Sequence, residues 1–224
     1  MSKSSKNIII GLETGLDGGG ISILDNENPV DSVCGSGNIS KSEDLLSLLE
    51  GLLEKHSIKK REIGLIAVSD GPGSLTGIRI GLALAKGLGD ALSVPVRYIS
   101  ILDAMAALTP LAKSEGTVLS VLSTMKNGNY LKEYSFRDGK LRIESEIIKK
   151  KEKYDLIDAL NNFKKESVSV VYNQDFEPII SEFRENQGLA QTFEFFKLRG
   201  SLAEVLGKAA NRDASDNEVD MNYD

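Results

Sequence analysis

Apolar residues follow two alternating patterns along the chain, short runs and helical stripes. Apolar runs of about four to eight residues between turn signals are typical of buried strands. A spacing of three and four residues is typical of an amphipathic helix, and the clearest such stripe consists of Leu45, Leu48, Leu49, Leu52 and Leu53. Ser40 and Glu43 form a capping box ahead of it. The first part of the chain is therefore predicted to contain strands at 7–12, 21–25, 29–34, 63–69 and 94–99, and helices at 40–55, 74–92 and 101–112.

A second and weaker set of the same elements follows. Its predicted strands are 117–122, 130–136, 141–148 and 167–172, and its predicted helices are 154–163, 177–185 and 201–211. The charge run 149–153 is interpreted as a solvated face, and the acidic end as a loose segment. The repeated order β-β-β-α-β-α predicts an α/β protein with an N-terminal lobe at 1–110. A degenerate second lobe at 111–224 is expected to include the last helix.

Small residues recur every fourth position in the helix that follows the fourth strand, at Gly73, Gly77, Gly81, Ala85 and Gly89. This spacing places almost bare backbone along one stripe of a helix. Each glycine inside a helix costs up to about 1 kcal/mol relative to alanine. The stripe therefore indicates close approach by another backbone, and Ser74 is the predicted N-cap.

The loop before this helix invites comparison with a phosphate-binding loop. Its glycines at Gly71, Gly73 and Gly77 are spaced G-x-G-x-x-x-G, one residue longer than the dinucleotide fingerprint. The P-loop pattern also fails, because no Gly-Lys-Ser/Thr follows. A tight turn with close helix packing is the favoured interpretation, and phosphate binding stays open as the minor one.

Composition excludes several function classes. The 224 residues are 41% hydrophobic and 27% charged, with a net charge of −6, which disfavours tight nucleic-acid binding by this chain alone. One cysteine, Cys34, precludes an intrachain disulfide, and the single histidine, His56, excludes a zinc site made from several His and Cys. The sequence shows neither a signal peptide nor an apolar stretch long enough for a membrane span.

The order of elements resembles the duplicated lobes of the actin, Hsp70 and sugar-kinase (ASKHA) superfamily. The stretch Asp-Gly-Pro-Gly-Ser-Leu-Thr-Gly-Ile-Arg-Ile-Gly, beginning at Asp70, is similar to the signature of the bacterial TsaB (YeaZ) family. Flanking elements agree in order and spacing from about residue 7 to residue 134, and the resemblance is weak beyond that point.

The resemblance implies a non-catalytic paralogue of TsaD that pairs with TsaD. With the ATPase TsaE, the pair supports synthesis of threonylcarbamoyladenosine on tRNAs that read codons starting with A. It also implies a cytoplasmic protein that is a homodimer in isolation and contacts tRNA only through the complex. No catalytic residue, cofactor or metal is expected.

The leucine-rich helix and the glycine-striped helix are expected to lie side by side, because consecutive βα units are usually neighbours in space. Together they are the predicted surface for TsaD and for a second copy of the chain, so that the two assemblies exclude each other. The predicted interface residues are Gly73, Thr76, Gly77, Ile78, Arg79, Gly81, Ala85, Leu45 and Leu49.

The chain departs from the family pattern at positions that carry acidic groups in relatives. Glu13-Thr14 stands where the family has Asp-Thr, and Lys41-Ser42 where it has His-Ser. The segment from Ser123 to Tyr130 lacks the Asp, Arg and Glu of relatives, and the terminal P-x-Y-x-R pattern is reduced to residues 220–223.

Two enzymatic alternatives were weighed against the scaffold hypothesis. An active nucleotide-dependent enzyme needs a carboxylate after the first strand, and Glu13 with the glycines at 18–20 only faintly matches this. A metallopeptidase needs a pair of histidines on a helix, which one histidine cannot supply. Asp70 is interpreted as a turn residue rather than a catalytic one. Arg79 is left open between a phosphate or partner contact and a salt bridge within the lobe.

Overall fold

The computed structural model describes residues 7–16, 19–34, 42–109, 115–124, 128–137, 140–151, 153–161, 167–186 and 192–215. The chain forms two compact units, each built around its own β-sheet. It leaves the first unit after Ala104 and returns to it at Gly200.

The first unit contains a five-stranded mixed sheet in the order β3-β2-β1-β4-β5. Its strands are β1 (Ile8–Glu13), β2 (Gly20–Asp25), β3 (Asn28–Cys34), β4 (Ile63–Ser69) and β5 (Val96–Ile99). The first three strands form an antiparallel meander, and β4 and β5 run parallel to β1. The helices of this part are α1 (Ser42–Lys55), α2 (Leu75–Leu92) and α3 (Ile101–Ala107), together with the last helix of the chain, α6 (Leu202–Ser215).

The central strand β1 is buried along its whole length because helices cover both faces of the sheet. Ile8, Ile10 and Leu12 join the core cluster that also holds the leucines of α1. The opposite face meets α6, where a Cβ at Gly11 would collide with the Ala203 carbonyl oxygen. Only glycine therefore allows α6 to approach this strand so closely.

The second unit repeats this topology. Its strands are β6 (Gly116–Thr124), β7 (Gly128–Arg137), β8 (Lys140–Ile143), β9 (Ile148–Lys150), β10 (Ser167–Tyr172) and β11 (Thr192–Lys197), with helices α4 (Lys153–Asn161) and α5 (Glu177–Asn186). Five of these strands follow the order β8-β7-β6-β10-β11, which matches the order of the first sheet, and β10 and β11 again run parallel to the central strand. The sixth strand, β9, pairs with β7. The prediction of a duplicated α/β architecture is confirmed.

The last helix is assigned to the wrong lobe by the sequence prediction. Residues 200–215 rejoin the first unit, where α6 packs on β1 and β2. The division between the units also falls after Ala104 rather than near residue 110. Sequence order placed α6 in the second lobe, but its apolar face, with Ala203 and Leu206, is buried against the first sheet.

Other differences concern individual elements. The sequence prediction missed β11, and the predicted strand 141–148 is split into β8 and β9 by residues 144–147. The helix predicted at 101–112 ends at Ala107, and its last predicted residues, 110–112, lie outside the described residues. The capping residue Ser40 and the departure at Lys41 also lie outside them.

Candidate functional site

The turn after β1 is organised by the carboxylate of Glu13. This side chain is 4% exposed, and its Oε1 accepts hydrogen bonds from the backbone N–H of Gly15 at 2.7 Å and of Leu16 at 3.0 Å. Two backbone donors that face the end of the central strand are thus bound by the chain's own side chain. The sequence analysis considered Glu13 as a substitute for a family aspartate and as a weak match to the carboxylate of a nucleotide-dependent enzyme. It did not predict these hydrogen bonds, because contacts with following amides are not visible in a residue pattern.

The same turn is docked on the beginning of α2. Thr14 Oγ1 donates a hydrogen bond to the Gly77 carbonyl oxygen at 2.8 Å, and the Ser74 amide donates to the Gly15 carbonyl oxygen at 2.6 Å. Ser74 is the N-cap as predicted, and its side chain accepts from the Gly77 amide. The glycine-rich motif therefore joins the start of the helix to the end of the central strand.

The glycine stripe faces the inside of the first unit. A Cβ at Gly73 would lie 2.6 Å from the Gly15 carbonyl oxygen, and one at Gly77 would collide with the Thr14 carbonyl oxygen. A Cβ at Gly81 would collide with the Thr14 hydroxyl. The backbone that approaches this helix closely belongs to the chain itself.

Four of the predicted interface residues are buried inside the first unit. Gly81 and Ala85 are buried in α2, and Leu45 and Leu49 of α1 are buried in the core of the same unit. None of these four residues offers a surface to a partner. Side chains that fill a core cannot also form an interface without unfolding part of it.

The remaining predicted interface residues differ in exposure. Thr76 and Arg79 are exposed, whereas Gly73, Gly77 and Ile78 are half-buried. Ile78 lies against the turn after β1, where a Cβ at Gly15 would be 2.8 Å from Ile78 Cγ1. Among the predicted set, only Thr76 and Arg79 lie on the outer face of α2.

Sequence reasoning missed the open face of the helix pair. On α2, Leu75 is 63% exposed, Ala83 is exposed, and a Cβ at Gly87 would have no atom within 4 Å. On α1, Leu46 is 40% exposed and Gly51 is equally open. The two helices contact each other, as predicted. The sequence contains a signal for this face, because Ala83 and Gly87 are also small residues four positions apart. They lie on a different side of the helix from the glycine stripe.

The loop that leads into α2 is held by short-range contacts. The Ser69 hydroxyl accepts from the Gly71 amide at 3.2 Å, and the Asp70 amide donates to the Ile99 carbonyl oxygen at 3.3 Å. Gly71 has φ of +132°, a conformation that favours glycine. These contacts agree with the interpretation of Asp70 as part of a turn.

The corresponding turn of the second unit is closed by neutral groups. Asn173 makes a pair of hydrogen bonds with the Ser123 backbone, its Oδ1 accepting from the amide at 2.8 Å and its Nδ2 donating to the carbonyl oxygen at 2.7 Å. The Ser123 hydroxyl donates to Asn129 Oδ1 at 2.7 Å. All three side chains are buried. The turn is thus held by a hydrogen-bonded network without formal charge.

The single histidine lies in a charged cluster away from these turns. His56 Nε2 is 2.7 Å from Asp31 Oδ2, and Lys55 Nζ is 2.8 Å from the same oxygen. The hydrogen bond from Lys55, followed in strength by the one with His56, holds the pKa of the Asp31 carboxyl well below its usual range. The cluster ties the end of α1 to β3.

Within the described ranges, no group of three or more His, Cys, Asp or Glu side chains is placed to bind a metal ion. No helix in the same part of the chain is long and apolar enough to cross a membrane. Cys34 is exposed.

The whole architecture matches solved structures of one fold superfamily. YeaZ from Pseudomonas aeruginosa aligns over 93% of this chain and 94% of its own, with a TM-score of 0.58 and 18% identity. Inorganic polyphosphate/ATP-glucomannokinase from Arthrobacter sp. strain KM aligns over 94% and 100%, with a TM-score of 0.59 and 14% identity. The chain is therefore a two-lobed protein of the ASKHA type, and at these identities the likeness establishes the fold alone.

Sequence comparison identifies the family, within this fold, to which the chain is similar. Residues 39–187 match the family described as "TsaD: tRNA N6-adenosine threonylcarbamoyltransferase". The tRNA threonylcarbamoyladenosine biosynthesis protein TsaB of Buchnera aphidicola (strain Bp) is 35% identical over 92 residues, 41% of this chain and 42% of that protein. TsaB of Bacillus subtilis is 30% identical over 93 residues, 42% and 40% of the two chains. The chain belongs to the TsaD family in this broad sense, and its relatives assign it to the TsaB (YeaZ) branch.

The matched part of the chain spans less than half of the length of these two curated relatives. The relatives are named for the biosynthesis of threonylcarbamoyladenosine on tRNA, and the family is involved in that process. The prediction of family and fold is confirmed.

Proposed function

We propose that the chain is a non-catalytic, TsaB-like subunit that pairs with a TsaD-like paralogue in the synthesis of threonylcarbamoyladenosine on tRNAs that read codons starting with A. Membership of a family named for this process supports the assignment. In this proposal the protein is cytoplasmic, meets a TsaE-like ATPase and tRNA within the complex, and forms a homodimer in isolation.

The turns after β1 and β6 are each held by hydrogen bonds from side chains of the chain itself, which supports the non-catalytic role. An enzyme that transfers phosphate needs donors and carboxylates aimed at a ligand. In the first unit the Glu13 carboxylate instead binds the Gly15 and Leu16 amides of its own turn. In the second unit, uncharged Ser123 and Asn173 bind each other. This arrangement favours a scaffold over a catalyst.

The outer face of α1 and α2 is the proposed pairing surface. It presents Thr76, Arg79, Ala83 and Gly87 on α2 and Leu46 on α1. Small residues allow an opposing helix to approach closely, and two such helix pairs form a four-helix bundle. A paralogue with the same fold offers an equivalent pair, so one surface serves both the homodimer and the heterodimer. A stable interface of this kind buries at least about 1,000 Å² in total.

A titration tests this pairing. The purified chain is mixed with increasing amounts of its TsaD-like paralogue, and the species are separated by native mass spectrometry. Homodimer is expected to disappear in proportion as heterodimer forms. A complex in which the homodimer persists through the same face would contradict the shared surface.

An active nucleotide-dependent enzyme is the second candidate. The likeness in fold to a glucomannokinase favours it, as does a carboxylate at the end of the first strand. We expect no ATP, sugar or peptide turnover by the isolated chain. ATP turnover that is lost in Glu13→Ala would support this alternative instead.

A further inference from the structure

Glu13 is a buried acidic residue for which the scaffold role supplies no chemistry. Its Oε1 is bound by two consecutive backbone amides, those of Gly15 and Leu16, and the side chain is 4% exposed. Consecutive amides that point into one concavity form an anion-binding nest. Here an oxygen of the chain's own carboxylate occupies the nest.

We propose that the turn at residues 14–16 is an anion-binding nest and that Glu13 is its permanent, covalently attached ligand. The ligand class that the nest accepts is a small oxyanion, such as phosphate or a carboxylate. Because Glu13 fills the position, the turn is ordered without any dissociable anion.

The turn that Glu13 orders also contacts the beginning of α2. The Gly15 carbonyl oxygen accepts from the Ser74 amide at 2.6 Å, and Thr14 Oγ1 bonds to the Gly77 carbonyl oxygen at 2.8 Å. The residues that Glu13 orders are thus the ones that hold the first turn of the helix. Glu13 is a positioning residue, and the position of α2 is predicted to be independent of nucleotide or phosphate.

A tethered carboxylate outcompetes a free anion because its effective concentration is on the order of millimolar or higher. Free phosphate well below that concentration therefore does not displace the Glu13 carboxylate from the nest in the native protein. Removal of the carboxylate leaves two amide donors facing a cavity of carboxylate size, which a free oxyanion can enter.

Chemical rescue tests the proposal on the isolated chain. The thermal midpoint is measured for the native protein, for Glu13→Ala and for Glu62→Ala, in chloride, formate or inorganic phosphate at matched ionic strength. Glu62 is the matched control because its carboxylate likewise accepts a hydrogen bond from a backbone amide, that of Lys59 at 2.7 Å. Unlike the bonds of Glu13, this bond is exposed. Glu13→Ala is expected to have a lowered midpoint that formate or phosphate raises in a saturable manner. The other two proteins should show only the general salt effect.

A folded Glu13→Ala protein that gains no more from oxyanions than the control would overturn the proposal. So would a native protein that is stabilised saturably by phosphate. If Glu13→Ala fails to fold, hydrogen exchange on the native protein decides. The Gly15 and Leu16 amides should be protected in oxyanion-free buffer, and protection that arises only when phosphate is added would refute a built-in ligand. The readouts involve no partner, so failure here is distinguishable from failure of the pairing proposal.

Discussion

At the scale of single residues, the glycines of α2 and of the loop before it are of two kinds. Gly73, Gly77 and Gly81 face the turn after β1 without room for a side chain, whereas Gly87 faces open space. The four-residue spacing predicted that another backbone approaches this helix closely, and the structure shows that it is the backbone of Thr14 and Gly15. That backbone lies some sixty residues away in sequence, so no local pattern could have named it.

Exchanging the two kinds of glycine for alanine gives a matched pair. Gly77→Ala forces a methyl group against the Thr14 carbonyl oxygen and is expected to lower the free energy of unfolding by about 1–3 kcal/mol. Gly87→Ala adds helix propensity at an open position and is expected to be neutral or to stabilise by up to about 1 kcal/mol. Urea unfolding of both variants measures the difference. Equal effects would contradict the inward orientation of the stripe.

The Asp31 cluster predicts a dependence of stability on pH. Lys55 and then His56 lower the pKa of the Asp31 carboxyl in the folded protein, so its ionised form stabilises the fold above the unfolded pKa of about 3.9. This contribution is lost as the pH falls below that value. Asp31→Asn should therefore be less stable than the native protein at pH 7, with a gap that narrows as the pH falls below about 4.

Chemical unfolding at several pH values measures this gap. Glu27→Gln is the control, since Glu27 is an exposed carboxylate 3.9 Å from Arg212 and such surface pairs contribute little. A gap for Asp31→Asn that stays constant down to the lowest accessible pH would show that the charge of Asp31 does not stabilise the fold.

At the scale of elements, the sequence predicted well where the periodicity was strong. The leucines of α1 and the apolar runs of β1 and β4 gave correct elements because each buries a regular face. β11 was missed although Phe193 and Phe195 alternate within it, because the strand follows a polar stretch. The role of Glu13 was also beyond prediction, since it depends on the conformation of the following turn.

The outer face of α2 carries the prediction for pairing. Gly87→Arg places a long, charged side chain on the proposed interface at a position with no neighbour within 4 Å, so folding should be retained while homodimer and heterodimer are lost. Ser181→Arg on the exposed side of α5 is the control and should pair like the native chain. Sedimentation of both variants with and without the paralogue measures this. Normal pairing by Gly87→Arg would exclude this face.

At the scale of the whole molecule, the duplicated topology was predictable because both halves repeat one order of elements. The return of α6 to the first unit was not, since it is a contact across most of the chain length. The sequence also assigned several interface residues to positions of α1 and α2 that are buried in the core of the first unit. Periodicity indicates which helix carries small residues, but only packing reveals which of its faces is already covered.

We propose that the chain serves tRNA modification as a partner and not as a catalyst. The most direct test is formation of threonylcarbamoyladenosine on tRNA by the purified paralogue and ATPase, with the native chain, without it, or with a variant. We expect that product requires the chain, falls to the level without the chain for Gly87→Arg, and persists with Glu13→Gln, which keeps an acceptor oxygen but no negative charge. Product that forms equally without the chain, or that is abolished by Glu13→Gln although the heterodimer still assembles, would contradict this proposal.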